Sequence, residues 1–192
     1  MVGYDRLKGL YSGVIEITAK NITGDLVECG TAKGGSAGLM RLTAQATGQD
    51  RPLWVYDTFE GLPMPSRDNP DFDLAKARTG ACRGDFEEVR GLFDSLGVLK
   101  NTQMIKGLFQ DTLPQHAPEH ISLLHLDGDW YESTKVCLDH LYDRVSPGGV
   151  IQIDDYGHWA GARQAVHEFL DARNLKVALR YLDYSGRQFI KP

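Results

Sequence analysis

The chain contains no apolar run long enough to cross a bilayer, which takes about 20 residues, and no repeat or low-complexity tract. Its opening stretch, MVGYDRLKGLYSGVIEIT, has neither a long apolar core nor a small-residue cleavage signature. The expectation is a cytoplasmic protein without membrane contact. Basic residues form no cluster, and the formal net charge of −5 would be repelled by phosphates, which excludes a nucleic-acid surface. Only three cysteines occur, Cys29, Cys82 and Cys137. An odd, widely spaced set excludes a disulfide framework and fits a reducing compartment. Also missing are the G-x-G-x-x-G turn of dinucleotide-binding folds and the lysine-serine ending of a phosphate loop.

What remains is ordinary in bulk and specific in pattern. At 192 residues, 42% of them apolar, residues 1–192 form one domain with a substantial core. Leu7, Leu10, Tyr11, Val14, Ile15 and Ile17 recur near helical spacing, so residues 1–23 carry a leading amphipathic helix. DLVECGT is a first strand, and KGGSAGLMRLTAQAT is a glycine-rich turn entering a helix. LWVYDTF is a second strand, followed by a proline- and charge-rich stretch, 60–83, with the character of a mobile loop over a site. DFEEVRGLFDSLG reads as a helix capped by Asp85 and stopped by Gly97. TQMIKGLF and ISLLHLD are strands, YESTKVCLDHLYDRV is a helix, and SPGG is a turn leading into the strand VIQID. GARQAVHEFLDAR is a last helix, and the tail is a hairpin turning at YSGR. Such alternation gives an α/β fold whose mostly parallel sheet is covered on both faces.

Ligands of such sheets lie beyond the carboxyl ends of the strands, and four acids fall there: Asp57, Asp127, Asp154 and Asp155. Two carboxylates about 4 Å apart repel by roughly 4 kcal/mol at an effective dielectric near 20, against a total stability of about 5–15 kcal/mol. No lysine or arginine lies close in sequence, apart from Lys135 in the following helix. A hard divalent cation, most economically Mg²⁺, would offset the repulsion. Asp129 could instead cap a helix with Glu132 as capping-box partner, and Asp155 could be a turn residue.

The glycine-rich turn VECGTAKGGSAG lets backbone approach a ligand closely. Asp57, at the end of the second strand, can accept both hydroxyls of a ribose. Glu28 beside the turn can face an ammonium or sulfonium. A ligand with ribose at one end and positive charge in the middle is S-adenosylmethionine.

DLVECGTAKGGSA, VYDTFEGLP, KGLFQDTLP, LLHLDGDWYEST and GGVIQIDDYGHWAGARQAV, in this order from Asp25 to Phe169, resemble the macrocin O-methyltransferase family of antibiotic-sugar methyltransferases. The resemblance implies a class I methyltransferase Rossmann-like fold, with a seven-stranded sheet ending in an antiparallel hairpin. It also implies S-adenosylmethionine as donor, a bound Mg²⁺ and a hydroxyl acceptor on a glycosylated natural product. Carried over, Asp127, Asp154 and Asp155 are metal ligands and Asp129 is the general base. Glu28, Gly30, Ser36, Asp57 and Thr58, with Asp127, belong to the donor site. Members usually carry a longer N-terminal region that shapes the acceptor pocket and subunit contacts, so a homodimer is a further expectation.

Two alternatives stand beside this. HLDGD superficially matches a Mg²⁺-dependent phosphohydrolase motif, although that motif normally opens a first strand and here closes the fourth. A binding protein of this fold without acceptor chemistry is the other. His125, alternating with apolar residues, reads as a satisfied buried histidine. His158 reads equally as an acceptor contact or a helix cap. Trp130, Tyr131 and Trp159 suit either an acceptor pocket or core packing.

Overall fold

Apolar residues at every position of a strand demand cover on both faces, and this is how the sheet is built. The computed structural model describes residues 2–192. Strands β1 (Asp25–Cys29), β2 (Leu53–Asp57), β3 (Thr102–Lys106), β4 (Ile121–Leu126) and β5 (Val145–Ile153) run parallel. β6 (Arg180–Tyr181) and β7 (Arg187–Ile190) add the antiparallel hairpin, giving the order β3-β2-β1-β4-β5-β7-β6. Every residue of β4, at the centre, is buried.

The helices are α1 (Tyr4–Ala19), α2 (Gly35–Ala46), α3 (Phe72–Lys76), α4 (Phe86–Ser95), α5 (Phe109–Thr112), α6 (Tyr131–Leu141) and α7 (Ala160–Ala172). Leu26, Leu123 and Val150 face one core with Leu10 and Val14 of α1, Met40 of α2 and Phe93 of α4. Their strand neighbours Val27, Leu124 and Ile151 face the other, with Leu138 of α6 and Phe169 of α7. Among the described residues no helix is long and apolar enough to cross a membrane.

Asp85 caps α4 as expected, accepting from Glu87 N at 3.0 Å, and Gly97 takes a left-handed φ of 67° after it. One boundary differs. SPGG is not a turn before β5 but its irregular first half. Gly148 N and Gly149 O pair with Lys191 beyond β7, which keeps the segment in the sheet despite a register shift against β4.

A polar row interrupts the α1-side core. Glu28, His125, Gln152 and Gln188 stand in register across β1, β4, β5 and β7, all buried. His125 Nδ1 lies 2.8 Å from Glu28 Oε1, and its Nε2 lies 2.9 Å from Asp154 Oδ1. Arg6 of α1 donates from Nη1 to Asp154 Oδ2 at 3.0 Å and from Nε to Asp183 Oδ2 at 2.9 Å. Gly9 lets α1 lie this close, because a Cβ there would come within 2.7 Å of Gln152 Oε1. Burial alone would lower the His125 pKa, but Asp154 and Glu28 hold it well above the ordinary value. Burial would raise Asp154, yet His125 and Arg6 hold it below the ordinary carboxylate range. The imidazolium is therefore the counter-charge of two carboxylates.

His125→Leu would leave two buried acids facing each other without that cation. The expected loss is about 3–5 kcal/mol of folding stability, measured by urea denaturation. A loss below about 1 kcal/mol, typical of exposed ion pairs, would show that the cluster carries no such weight.

Candidate active site

Backbone hydrogen bonds bring the strand ends level. Asp127 N donates to Cys29 O, Asp154 N to Leu126 O, and Gly30 N to Tyr56 O. A cavity of about 980 Å³ opens above them, at the upper end of the volume one small ligand fills. Gly30, Thr31 and Ser36 line one wall; Asp127, Asp129 and Asp155 line another.

Glycine is required at position 30. Its φ is 88°, and a Cβ would stand 1.9 Å from Asp127 O. The turn after β1 and the end of β4 can meet only because that atom is missing. Asp57 fixes the turn from the other side, its Oδ2 accepting from Thr31 N at 2.8 Å and Ala32 N at 3.0 Å. Its Oδ1 accepts from Phe59 N at 2.8 Å. The Thr58 hydroxyl adds a long fourth contact to Asp57 Oδ1 at 3.5 Å, and both Asp57 and Thr58 border the cavity. Glu28 is not brought to the wall. It points into the sheet interior and pairs with His125.

Asp127, Asp129 and Asp155 offer carboxylate oxygens that all lie within 4.8 Å of one another. Burial, then Asp154, pushes the Asp127 pKa well up; burial, then Asp129 and Asp127, does the same to Asp155. Burial also raises Asp129, although the Trp159 indole N–H opposes the shift. The structure does not place Asp154 in this trio. It groups instead with His125 and Asp127, and its oxygens are already engaged by Arg6, Gln152 and His125. Among the described residues none of these three acids makes an ion pair, whereas Asp154 makes two. An all-oxygen carboxylate set of this kind fits a hard divalent cation.

Asp129 is no helix cap. Trp130 occupies the cap position of α6 without a side-chain cap bond, and Glu132 is turned toward Ser66 and Asn69. Asp129 has a φ of 62°, uncommon outside glycine. Its backbone N–H donates to Asp155 Oδ2, and its Oδ1 accepts from Trp159 Nε1, both at 2.9 Å.

Trp130 and Trp159 pack edge-to-face at 5.0 Å and also face the cavity. Tyr131 turns away and donates to Glu168. His158 stands on the cavity wall, with Nδ1 3.3 Å from the Tyr184 hydroxyl. Sequence reasoning missed Arg6, which is 148 residues from Asp154 and carries no local signal. It missed as well the residues of 60–83 that reach α6 and α7.

A seven-stranded sheet in this order, with its glycine-rich turn and acid cluster at one edge, is the class I methyltransferase fold. The chain belongs to the macrocin-O-methyltransferase (TylF) family, whose model matches residues 1–191. It is 37% identical over 191 residues to the 8-demethyl-8-(2,3-dimethoxy-alpha-L-rhamnosyl)-tetracenomycin-C 4'-O-methyltransferase of Streptomyces olivaceus, covering 97% of this chain and 73% of that protein. It is 32% identical to the mycinamicin III 3''-O-methyltransferase of Micromonospora griseorubida, covering 97% and 76%. The solved O-methyltransferase NovP superposes with a TM-score of 0.93 at 34% identity, covering 98% of this chain and 80% of that one. A calicheamicin methyltransferase, 19% identical over 96% of this chain and 77% of its own, shares the fold with a TM-score of 0.74.

Gly30→Ala should destabilise by more than about 1 kcal/mol, since both its space and its φ are forbidden to alanine. Gly35→Ala, with nothing near its Cβ, should melt as the parent does. Equal melting temperatures for the two variants would refute the close-approach account.

Proposed function

We propose that this chain transfers the methyl group of S-adenosylmethionine to a hydroxyl of a sugar-bearing natural product, assisted by a divalent cation, with Asp129 as general base. The observation that carries the proposal is the uncompensated acid trio sharing one cavity with the glycine-rich turn. The relatives support the acceptor class, because those from S. olivaceus and M. griseorubida are named for O-methylation of a rhamnosyl tetracenomycin and of mycinamicin III.

Gly30, Ser36, Asp57 and Thr58 receive the donor, with Asp57 toward the ribose; Glu28, expected among them, stays beneath the turn, paired with His125. Asp127 and Asp155 hold the cation. Asp154, expected with them, already has His125 and Arg6 as partners. When bound, the donor would supply an electrophilic methyl group, and a divalent cation held by Asp127 and Asp155 would make the acceptor hydroxyl more acidic. Asp129 would accept the hydroxyl proton as the oxygen–carbon bond forms and the carbon–sulfur bond breaks, the electron pair leaving on the sulfur as a neutral thioether. Burial raises its pKa, which makes the carboxylate a better proton acceptor, and the cavity walls around it would position the acceptor oxygen. Trp130 and Trp159 supply an apolar face for the sugar.

Titration calorimetry with S-adenosylmethionine, with and without Mg²⁺, tests the cofactors, and absence of donor binding would overturn the proposal. Asp129→Asn should keep both ligands and lose about 10²–10⁴-fold in kcat; near-normal turnover removes it as base. Asp155→Asn should abolish Mg²⁺ binding and Asp154→Asn should retain it. The opposite result returns Asp154 to the ligand set.

A further inference from the structure

We propose that residues 60–83 form a clasped strap that sets the orientation of Asp129 through Trp130 and Trp159, with Glu132 and Asp71 as the clasps and Trp159 as a positioning residue. The part concerning catalysis rests on Asp129 as base; the clasp stands independently.

The strap closes on itself at its neck, where Leu62 N donates to Ala81 O and Gly80 N donates to Leu62 O, both at 2.8 Å. Its far half is tied to the two helices that follow the acidic strand ends. On α6, Glu132 receives the Ser66 hydroxyl and, at 2.9 Å, the Asn69 side-chain N–H. On α7, Gly161 N in the first turn donates to Asp71 Oδ2 at 2.7 Å, placing an acid where the helix dipole favours one. Asn69 is only 4% exposed, so its bond to Glu132 is shielded, while the Ser66 bond lies at the surface.

Between the clasps the strap presses on the indole pair. Ala75 of α3 is fully buried with Trp130, Trp159 and Ala162, and Leu62 packs against them. Trp130 donates from Nε1 to Pro63 O at 2.9 Å. Trp159, held edge-on to Trp130, donates from Nε1 to Asp129 Oδ1. A residue at a φ of 62° keeps that conformation only where its surroundings over-determine it. Here the surroundings are the Asp155 carboxylate on its backbone and the Trp159 indole on its side chain. The indole is fixed in turn by Trp130 and the strap. Removing the strap's anchors therefore loosens the carboxylate without touching it.

Trp159→Phe keeps the ring packing and deletes the N–H. It should lower kcat about 10- to 100-fold, as expected for the loss of one hydrogen bond to a charged group, with calorimetric donor affinity unchanged and the chain still folding cooperatively. Glu132→Ala should speed trypsin cleavage at Arg67 and Arg78 within the strap, in the absence of substrate, and should also lower kcat. In the double variant the two kcat losses should be less than multiplicative, because both act on the same path. Unchanged cleavage in Glu132→Ala overturns the clasp; wild-type kcat in Trp159→Phe, or fully multiplicative losses, overturns the relay. Should Trp159→Phe fail to fold, Glu132→Ala alone decides through cleavage and kcat. If Asp129→Asn proves active, the base assignment fails while the cleavage result still judges the strap.

Discussion

His125 sits between Glu28 and Asp154 with no exposed surface on any of the three, and Arg6 completes the set from α1. Charges enclosed in this way cost several kcal/mol each in lost hydration unless their geometry returns it. Every partner must therefore arrive in register. The row fixes β1 against β4, β4 against β5, and α1 against all three. It also sets the height at which the strand-end acids emerge.

That foundation separates neighbours in sequence. Asp154 and Asp155 are consecutive, yet the first is held ionised by His125 and Arg6 while the second is driven toward its protonated form by burial and by Asp129 and Asp127. Just past the end of a strand, one residue turns back to the α1 face and the next turns out to the cavity. A single sheet edge thus provides a neutralised acid below and an unneutralised trio above. Burial raises the pKa of every acid in the upper set; the lower acid is tied to β4 through His125 and to α1 through Arg6.

Much of this was legible in the sequence. Periodicity located the leading helix, the five parallel strands and the hairpin, and the carboxyl-end rule put Asp57, Asp127, Asp154 and Asp155 at one rim. Five linked motifs carried the resemblance to the family. The invisible part shares a physical character, being contacts between residues far apart in the chain. Nothing near Asp154 announces Arg6, so a sequence-local tally counted it with the unpaired acids. Glu28 beside the glycine turn looks like a ligand contact until the register sets it opposite His125. Glu132 has capping-box spacing from Asp129, but its carboxylate is taken by Ser66 and Asn69, 66 and 63 residues away. The stretch 60–83, which composition marks as a loop, is stitched by side chains whose partners lie on α6 and α7.

Arg6 bridges Asp154 and Asp183, so α1 is fastened by a residue 177 positions downstream. A ribosome making this chain releases Arg6 early and Asp183 near the close of the stretch described here. Until the hairpin emerges, α1 has only part of its electrostatic seat, and Asp154 lacks neighbours that order its surroundings. Maturation of the reactive edge thereby waits for the hairpin that carries Asp183.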